Sequence, residues 1–189
     1  MNNGHLGRVP SPRRNALLSR LLEEDDAMEN NVKDNVSTVA LGSDHGGFPA
    51  KQTLIAYLQS LGYRVTDVGT YSTDSVDYPD FAVKVADEVA SGSCDRGIMI
   101  DGAGIGSSMV CNKVRGIRAA LCYDLRTVEN SRVHNNANVL TLGGPLHSAD
   151  ELCEMARVWL ETRFEGGRHW PRINKMMAVE RRRPGRQRG

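Results

Sequence analysis

The sequence predicts an α/β fold, a Rossmann-like three-layer sandwich with a five-stranded parallel sheet and an additional C-terminal helix. From residue 38 onward, short runs rich in β-branched residues alternate with helical patterns of about ten to fifteen residues, which is typical of βαβ units. Apolar residues make up 40% of the chain and aromatic residues only 5%, so we expect a core of Val, Ile, Leu and Ala. The crossovers between parallel strands are expected to be right-handed, with helices on both faces of the sheet.

Five short runs are predicted to be strands, because each is rich in β-branched or aliphatic residues and is followed by glycine or polar residues that mark a turn. They are residues 38–43 (TVALGS), 63–68 (YRVTDV), 96–101 (RGIMID), 117–122 (IRAALC) and 137–142 (ANVLTL). The helices predicted between and after them cover residues 48–61, 79–91, 105–114, 125–133, 148–163 and 170–181.

The composition changes near residue 37 and divides the chain into three parts. Residues 1–37 form an N-terminal extension and linker, in which the stretch EEDDAMENNVKDNVS (23–37) has the polarity of a solvated segment. Residues 38–181 form the α/β domain, and residues 182–189 form a basic tail.

Charge and cysteine content exclude several classes of partner. The net charge of +1 gives no argument for binding to nucleic acid or to an anionic membrane. The four cysteines lack CxxC spacing, which indicates buried thiols in a reducing compartment and not disulfides or zinc. The chain contains neither a membrane-spanning apolar run nor a secretory signal, so we expect a cytoplasmic protein.

A glycine-rich stretch, DGAGIGSS (residues 101–108, the glycine loop), follows the third predicted strand. Gly102, Gly104 and Gly106 allow a tight turn whose backbone N–H groups could hold a phosphate or an oxyanion. The alternatives are a plain turn and a dinucleotide-binding loop. The dinucleotide hypothesis is disfavoured because Ser107 stands where the third glycine is needed and the loop does not follow the first strand.

Other polar residues lie near predicted strand ends. Asp44 and His45 follow the first strand and could bind sugar hydroxyls and relay protons, or could simply form a turn. Arg168 and Arg172 have the i, i+4 spacing that would place both on one helix face as a phosphate clamp, or as a solvated basic face. His134 precedes the fifth strand, on the other side of the sheet from Asp101. This separation indicates an oligomer in which one subunit completes the site of another.

Five motifs occur in one order across residues 38–181: GSDHGG, DYPDFA (77–82), GAGIG…NKVRGIRAAL, HNNANVLTLGG and EGGRH…R. As a set they resemble the ribose-5-phosphate isomerase type B family, which includes the galactose-6-phosphate isomerase subunits. The resemblance implies an aldose–ketose isomerase that acts on phosphorylated sugars through an enediol(ate), without metal or organic cofactor. It also implies a homodimer or a dimer of dimers whose active sites lie between subunits.

The resemblance assigns roles position by position. Asp44 and His45 match the family's Asp-His pair, and Tyr78 matches a substrate-facing tyrosine. The glycine loop, with Ser107, is expected to contact substrate and to stabilise its oxyanion. The remaining matches are the ring-opening histidine, its neighbour and the phosphate-binding arginines, which are His134, Asn135, Arg168 and Arg172.

The departures from the family bear on the base and on the substrate. Asp101 stands where type B ribose enzymes commonly carry cysteine, and Ser107 stands where other members carry a glutamate. Ala103 replaces a hydroxyl residue, and Pro145 replaces another phosphate-binding arginine. We expect Asp101 to be the base and the substrate to be a four- to six-carbon sugar phosphate. The alternatives are Asp101 as a hydroxyl ligand in an altered enzyme, and a non-catalytic or half-site subunit of a heteromeric galactose-6-phosphate-type isomerase.

The N-terminal extension lies outside the family core. Ser11 and Pro12 are typical of a helix start, and Leu17, Leu18, Leu21 and Leu22 fall on one face. Such a short amphipathic helix resembles the peptides that direct enzymes into bacterial microcompartments, which makes a microcompartment shell a candidate partner. The alternatives are a disordered leader or an extra packing helix.

Overall fold

The structure, a computed structural model, describes residues 36–180, in which five strands and six α-helices alternate along the chain. The strands are β1 (Thr38–Ser43), β2 (Arg64–Asp67), β3 (Arg96–Asp101), β4 (Ala119–Leu121) and β5 (Val139–Gly143). The helices are α1 (Phe48–Ser60), α2 (Tyr78–Ala90), α3 (Ile105–Cys111), α4 (Leu125–Val133), α5 (Ala149–Glu161) and α6 (Trp170–Val179). Two 3₁₀ turns, Gly144–Leu146 and Gly167–His169, precede α5 and α6.

The strands form one parallel sheet in the order β2-β1-β3-β5-β4. In the register, Ser43 at the end of β1 lies opposite Ile100, and Asp101 at the end of β3 lies opposite Gly143. The carboxyl ends of the three central strands therefore share one edge of the sheet, where ligands bind in such folds. The predicted five-stranded parallel sheet is confirmed.

Alternate strand residues face two separate helix layers, as the two-residue period of a strand requires. Leu41, Ile98 and Leu140 belong to the cluster that also contains Leu54 of α1, Val128 of α4 and Trp159 of α5. Their neighbours in the strands, Ala40, Met99 and Val139, belong to a second cluster with Val85 of α2 and Cys111 of α3. The sheet thus lies between two helix layers, which confirms the three-layer sandwich.

Several elements are shorter than the sequence predicts, among them the third helix and the fourth strand. The third helix ends at Cys111 instead of continuing to residue 114, because Asn112 closes the turn that follows. Its side-chain nitrogen donates to the carbonyls of Ser108 and Ala119, and its oxygen accepts from the backbone N–H of Ala119 (all 2.9 Å). The fourth strand spans Ala119–Leu121 only, as an edge strand that pairs with β5 alone.

The predictions for the N-terminal extension and for the basic tail concern residues outside the described range, except for residues 36 and 37. Within the described part, no helix has the length and apolarity needed to cross a membrane. The four cysteines are free, and Cys94, Cys111 and Cys122 are buried.

Candidate active site

The carboxyl ends of β1 and β3 bring two polar turns together. Asp44 follows β1, its backbone N–H donates to the carbonyl of Ile100 (3.2 Å), and its Oδ1 accepts from the backbone N–H of Gly47 (2.9 Å). A Cβ atom at Gly46 would lie 3.4 Å from Asp44 Oδ1 and 3.9 Å from the backbone nitrogen of Gly102, so the two turns lie side by side. Asp44, which is buried, and the glycine loop therefore form one edge of the site.

The carboxylate of Asp101 is held by its own loop. Its Oδ1 accepts hydrogen bonds from the backbone N–H groups of Ala103 (2.8 Å) and Gly104, and its Oδ2 accepts from the backbone N–H (3.2 Å) and the hydroxyl of Ser107. Gly104 has φ +74°, which lets the loop wrap around the carboxylate. Asp101 is only 5% exposed and Ser107 is fully buried. The anion that these loop donors hold is therefore the protein's own carboxylate.

His45 and Tyr78 attach the segment before α2 to this edge. The Nδ1 atom of His45 accepts a hydrogen bond from the backbone N–H of Val76 (3.2 Å). Tyr78 is the first residue of α2, and a Cβ atom at Gly106 would lie 2.5–2.7 Å from its ring and hydroxyl. The tyrosine therefore lies directly against the glycine loop, and Gly106 leaves the space for it.

A buried lysine supports the same edge from behind. Lys51 is fully buried and its ammonium group donates to Asp67 Oδ1, which also accepts from the backbone N–H of Gly69 (2.9 Å). The Lys51 nitrogen also lies 5.1 Å from the centroid of the Tyr71 ring. The segment after β2 is tied to Ser43 through two backbone hydrogen bonds of 2.7 Å. Lys51 thus fixes the chain beside the end of β1.

A second group of polar side chains lies where α4 ends. His134 caps that helix, and its ring stacks on that of His169 with centroids 4.5 Å apart and planes 19° apart. Glu165 Oε2 lies 3.1 Å from His169 Nε2 and 4.0 Å from His134 Nε2. On the opposite side of the ring, His134 Nδ1 lies 2.9 Å from the amide nitrogen of Asn130. We call His134, Glu165 and His169 the histidine cluster.

The histidine cluster opens into a cavity of about 390 Å³. Arg172 of α6 lines this cavity, so its guanidinium and the two imidazoles give it an anion-binding character. Ile173 and Met176, also on α6, supply apolar lining. The complete lining is Asn130, His134, Asn135, His169, Arg172, Ile173 and Met176.

The two predicted clamp arginines do not share a helix, which corrects the placement that their spacing indicates. Arg168 lies in the 3₁₀ turn Gly167–His169, before α6 begins at Trp170. The turn interrupts the helix because Gly166 (φ +71°) and Gly167 (φ +50°) take left-handed backbone conformations. Arg168 Nε points to His169 Nε2 at 3.4 Å, whereas Arg172 lines the cavity itself.

The glycine loop and the histidine cluster lie at opposite ends of the sheet within one chain. Asp101 ends β3, and β3 runs parallel to β5 with Gly97 opposite Val139 and Asp101 opposite Gly143. His134 precedes the first residue of β5, at the amino end of that strand. A single chain therefore does not bring His134, Asn135 and Arg172 to Asp44, Asp101 and Tyr78.

The histidine cluster is also the group of described residues whose donor atoms come closest to a metal-binding arrangement, since they lie within 4.8 Å of one another. A metal ion lies in the plane of each imidazole that binds it. Because the two ring planes are nearly parallel and stacked, one ion cannot lie in both. The Arg168 guanidinium beside His169 adds positive charge. The arrangement suits ion pairing and proton transfer better than metal binding.

Sequence analysis did not identify Glu165, Asn130 or Arg132 as residues of this region. Arg132 is 1% exposed and holds the turn after His134, because its guanidinium donates to the carbonyls of Ala137 (2.6 Å) and Thr162 (3.2 Å). The i, i+4 spacings of Asn130 to His134 and of Glu165 to His169 were the available sequence signals. A buried arginine has no such signal.

Cys111 could have been a reactive group near the loop, but its surroundings exclude this. Its thiol donates to the carbonyl of Ala82 (3.3 Å), and burial raises the pKa of Cys111 to about 12. The thiol therefore stays protonated at neutral pH.

Residues 39–176 match the family described as Ribose/Galactose Isomerase. Ribose-5-phosphate isomerase B of Escherichia coli is 41% identical over 145 residues, which cover 77% of this chain and 97% of the relative. D-erythrulose-4-phosphate isomerase of Pectobacterium atrosepticum is 38% identical over 143 residues, which cover 74% and 92%. The solved structure of Clostridium thermocellum ribose-5-phosphate isomerase B is 46% identical, with a TM-score of 0.75 over 76% of this chain and 97% of that one.

Proposed function

Since the chain belongs to the Ribose/Galactose Isomerase family and is a sugar-phosphate isomerase of the ribose-5-phosphate isomerase B type, we propose that its active site combines the glycine loop of one subunit with the histidine cluster of another. The reaction interconverts an aldose phosphate and its ketose. A homodimer is the smallest assembly that can carry such shared sites, and a dimer of dimers would carry twice as many.

One observation carries this proposal: the two groups of residues lie at opposite ends of the sheet in a single chain. Isomerisation needs a base and an oxyanion site at C1 and C2, and a binding site for the phosphate at the far end of the sugar. The glycine loop supplies the first kind of group, and the arginine-lined cavity supplies the second. In a two-fold dimer, each cavity can face the loop of the other subunit.

The proposed roles follow the chemistry of each group. His134 opens the sugar ring, and Arg172, with Arg168, holds the phosphate. Asp101 moves the proton between C1 and C2 through the enediolate, and the amides of the glycine loop stabilise its oxyanion. Asp44, His45, Tyr78 and Asn135 contact the hydroxyl groups of the sugar.

Asp101 is the best-placed base, but its contacts constrain how it acts. Both oxygens already accept hydrogen bonds from the loop, so the carboxylate must release a loop donor to take a proton from carbon. Ser107 is the donor that can turn away most easily, because a hydroxyl rotates while a backbone N–H does not. Cys111 is unsuited to replace Asp101, since its thiol is buried and its pKa is high.

The substrate is proposed to be a four- to six-carbon sugar phosphate. The relatives support a range of chain lengths, since one is named for ribose 5-phosphate and another for D-erythrulose 4-phosphate. Ala103 and Pro145 lack the hydroxyl and the guanidinium that the ribose enzymes commonly carry at these positions. A panel of four-, five- and six-carbon sugar phosphates, ranked by kcat/KM, identifies the preferred length.

Subunit complementation tests the shared site. Hybrid dimers of Asp101→Asn and His134→Gln subunits, purified through two different tags, would contain one intact site and one doubly altered site. We expect about half of the wild-type activity in the hybrid and almost none in either parent.

The matched control combines Asp101→Asn with Asp44→Asn, since both changes affect the glycine-loop end and leave every shared site with one defect. This pair should stay inactive. An inactive Asp101–His134 hybrid, or equal recovery in the control pair, would contradict a shared site.

A half-site subunit is the second candidate, and the hydrogen bonds that tie Asp101 to its own loop favour it. A carboxylate that serves only to brace the loop would leave the chain without a base. In that case the purified chain alone would turn over no sugar phosphate of the panel. Measurable turnover by the homomeric protein would eliminate this candidate.

We propose that the N-terminal extension directs the enzyme to a microcompartment shell, because its sequence would place four leucines on one face of a helix. A fluorescent protein fused to residues 1–36 should co-localise with an assembled cognate shell, and changing Leu18 and Leu22 to Glu should abolish this. Removal of residues 1–36 should leave turnover and oligomeric state intact. A diffuse fusion protein in such a host would contradict the targeting role.

A further inference from the structure

The two ring nitrogens of His134 have chemically different neighbours. Nδ1 lies 2.9 Å from the side-chain amide nitrogen of Asn130, one helical turn earlier on α4. The backbone N–H of His134 also donates to the carbonyl of Asn130 (3.0 Å), so the two residues are joined twice. Nε2 faces the other way, towards Glu165 Oε2 at 4.0 Å.

Each neighbour can satisfy only one state of the nitrogen that it faces. With the Asn130 amide oriented as in the structure, its NH₂ group is the donor and Nδ1 is the unprotonated acceptor. The Glu165 carboxylate, which at 4.0 Å is too far from Nε2 for a hydrogen bond, favours a proton on Nε2 through its negative charge. A neutral imidazole carries one proton, and the hydrogen bond at one nitrogen decides the state of the other. Asn130 and Glu165 therefore favour the same tautomer.

The ring is also restrained against the rotation that would exchange its nitrogens. His169, 3% exposed, stacks on one face of the ring and is itself fixed by Glu165 at 3.1 Å. Behind the ring, Arg132 holds the turn that follows His134. The contacts of Asn130 and of Glu165 thus act on a ring of fixed orientation.

We propose that Asn130 is a positioning residue that fixes His134 in the tautomer with its proton on Nε2, which makes this imidazole a proton donor to the ring oxygen of a cyclic sugar phosphate. The proposal rests on the proposed function for the ring-opening step only. In that step Nε2 gives its proton to the ring oxygen as the bond between that oxygen and C1 breaks. The anomeric hydroxyl loses its proton to water, C1 becomes a carbonyl carbon, and water returns a proton to Nε2.

The tautomer can be measured directly by ¹⁵N NMR of the imidazole nitrogens in the full-length, histidine-labelled protein at a pH where His134 is neutral. The His134→Gln variant assigns the signals. We expect the wild type to carry its proton on Nε2. The Asn130→Asp variant should move the proton to Nδ1, because a carboxylate accepts a hydrogen bond from Nδ1–H, whereas the amide donates one to Nδ1. A wild-type proton on Nδ1, or an unchanged tautomer in Asn130→Asp, would overturn the proposal.

Two substrates separate ring opening from the rest of the reaction. Ribose 5-phosphate closes a five-membered ring, whereas erythrose 4-phosphate cannot, since its O4 carries the phosphate. We expect Asn130→Asp to lower the ratio of kcat/KM for ribose 5-phosphate to that for erythrose 4-phosphate by about 10-fold or more. Asn130→Leu, which only removes the donor, should lower the same ratio less.

Glu129→Gln is the matched control, since Glu129 is the exposed neighbour of Asn130 on the same helix, and it should leave the ratio unchanged. Equal loss with both substrates in Asn130→Asp would show a structural role and overturn the proposal. If the wild type isomerised neither sugar phosphate, the proposed function would fall, and the NMR measurement would still decide the tautomer by itself.

Discussion

The two ends of the sheet hold their polar groups in different ways. At the glycine-loop end, Asp44 and Asp101 are buried and are bound mainly by backbone N–H groups of their own turns. At the other end, His134 and Glu165 are half exposed and contact mainly other side chains. Backbone donors are fixed by the fold, while the His134 ring is held by the side chains of Asn130 and Glu165 and by stacking on His169. Both ends are therefore formed before substrate arrives, the first by the backbone and the second by side-chain packing.

Asp101→Asn is the sharpest test of the glycine-loop end and should have the largest effect. The amide keeps the shape of the carboxylate but cannot take a proton from carbon, so we expect kcat to fall by about 10²–10⁴ with KM little changed. Steady-state kinetics, with the melting temperature as a folding control, measure this. Near-normal turnover would exclude Asp101 as the base and direct attention to Ser107.

Arg172→Ala tests the other end and should act on KM. Loss of a charge-assisted contact to phosphate should cost about 2–4 kcal/mol in binding if a second subunit closes the cavity as proposed. Arg168→Ala should cost less, because Arg168 points to His169 and not into the cavity.

Unphosphorylated sugar is the control substrate for the arginines, since neither variant should handle it worse than the parent. If both kinds of substrate suffer equally, the arginines serve folding or the interface.

Gly106→Ala tests how closely the glycine loop packs against Tyr78. The new Cβ would meet the Tyr78 ring at about 2.5 Å, so the tyrosine must move and we expect an overpacking cost of about 1–3 kcal/mol in the free energy of unfolding. Denaturant unfolding measures it. Gly102→Ala is a control for the loss of a glycine, because its φ is not positive and its Cβ would meet no atom within 4 Å. Equal costs in the two variants would show that the loss of a glycine, and not contact with Tyr78, is responsible.

The smallest effect is expected from thiol modification. Burial raises the pKa of Cys111 to about 12 and that of Cys122 to about 11, so both thiols are protonated and unreactive at pH 7–8 and become thiolates only far above it. Iodoacetamide at pH 7.5 should leave turnover unchanged, as judged by activity and mass spectrometry after treatment. Rapid inactivation that substrate prevents would show that a cysteine takes part in the reaction.

Much of the fold could be predicted from the sequence, because strand and helix periods are local properties. Parallel strands place their carboxyl ends at one edge of the sheet, so the presence of Asp44 and the glycine loop at the same edge could be predicted, but their closeness depends on the strand order, in which β1 lies beside β3. The sequence could not show that the Asp101 carboxylate accepts hydrogen bonds from the backbone N–H groups of its own loop, because this depends on the left-handed turn at Gly104. Nor could it show the stacking of His134 on His169, which depends on how the 3₁₀ turn before α6 meets the end of α4.

The hydrogen bonds around Asp101 have a consequence for the energetics of turnover. If the carboxylate takes the proton from carbon, it becomes neutral in the same step in which the substrate becomes an enediolate. The negative charge then moves by a short distance within the loop, and the total charge that the loop amides stabilise stays constant. The loop dipoles, already oriented around one anion, need little reorganisation to serve the other. Before proton transfer, the carboxylate thus holds the loop donors in the orientation that the enediolate needs afterwards.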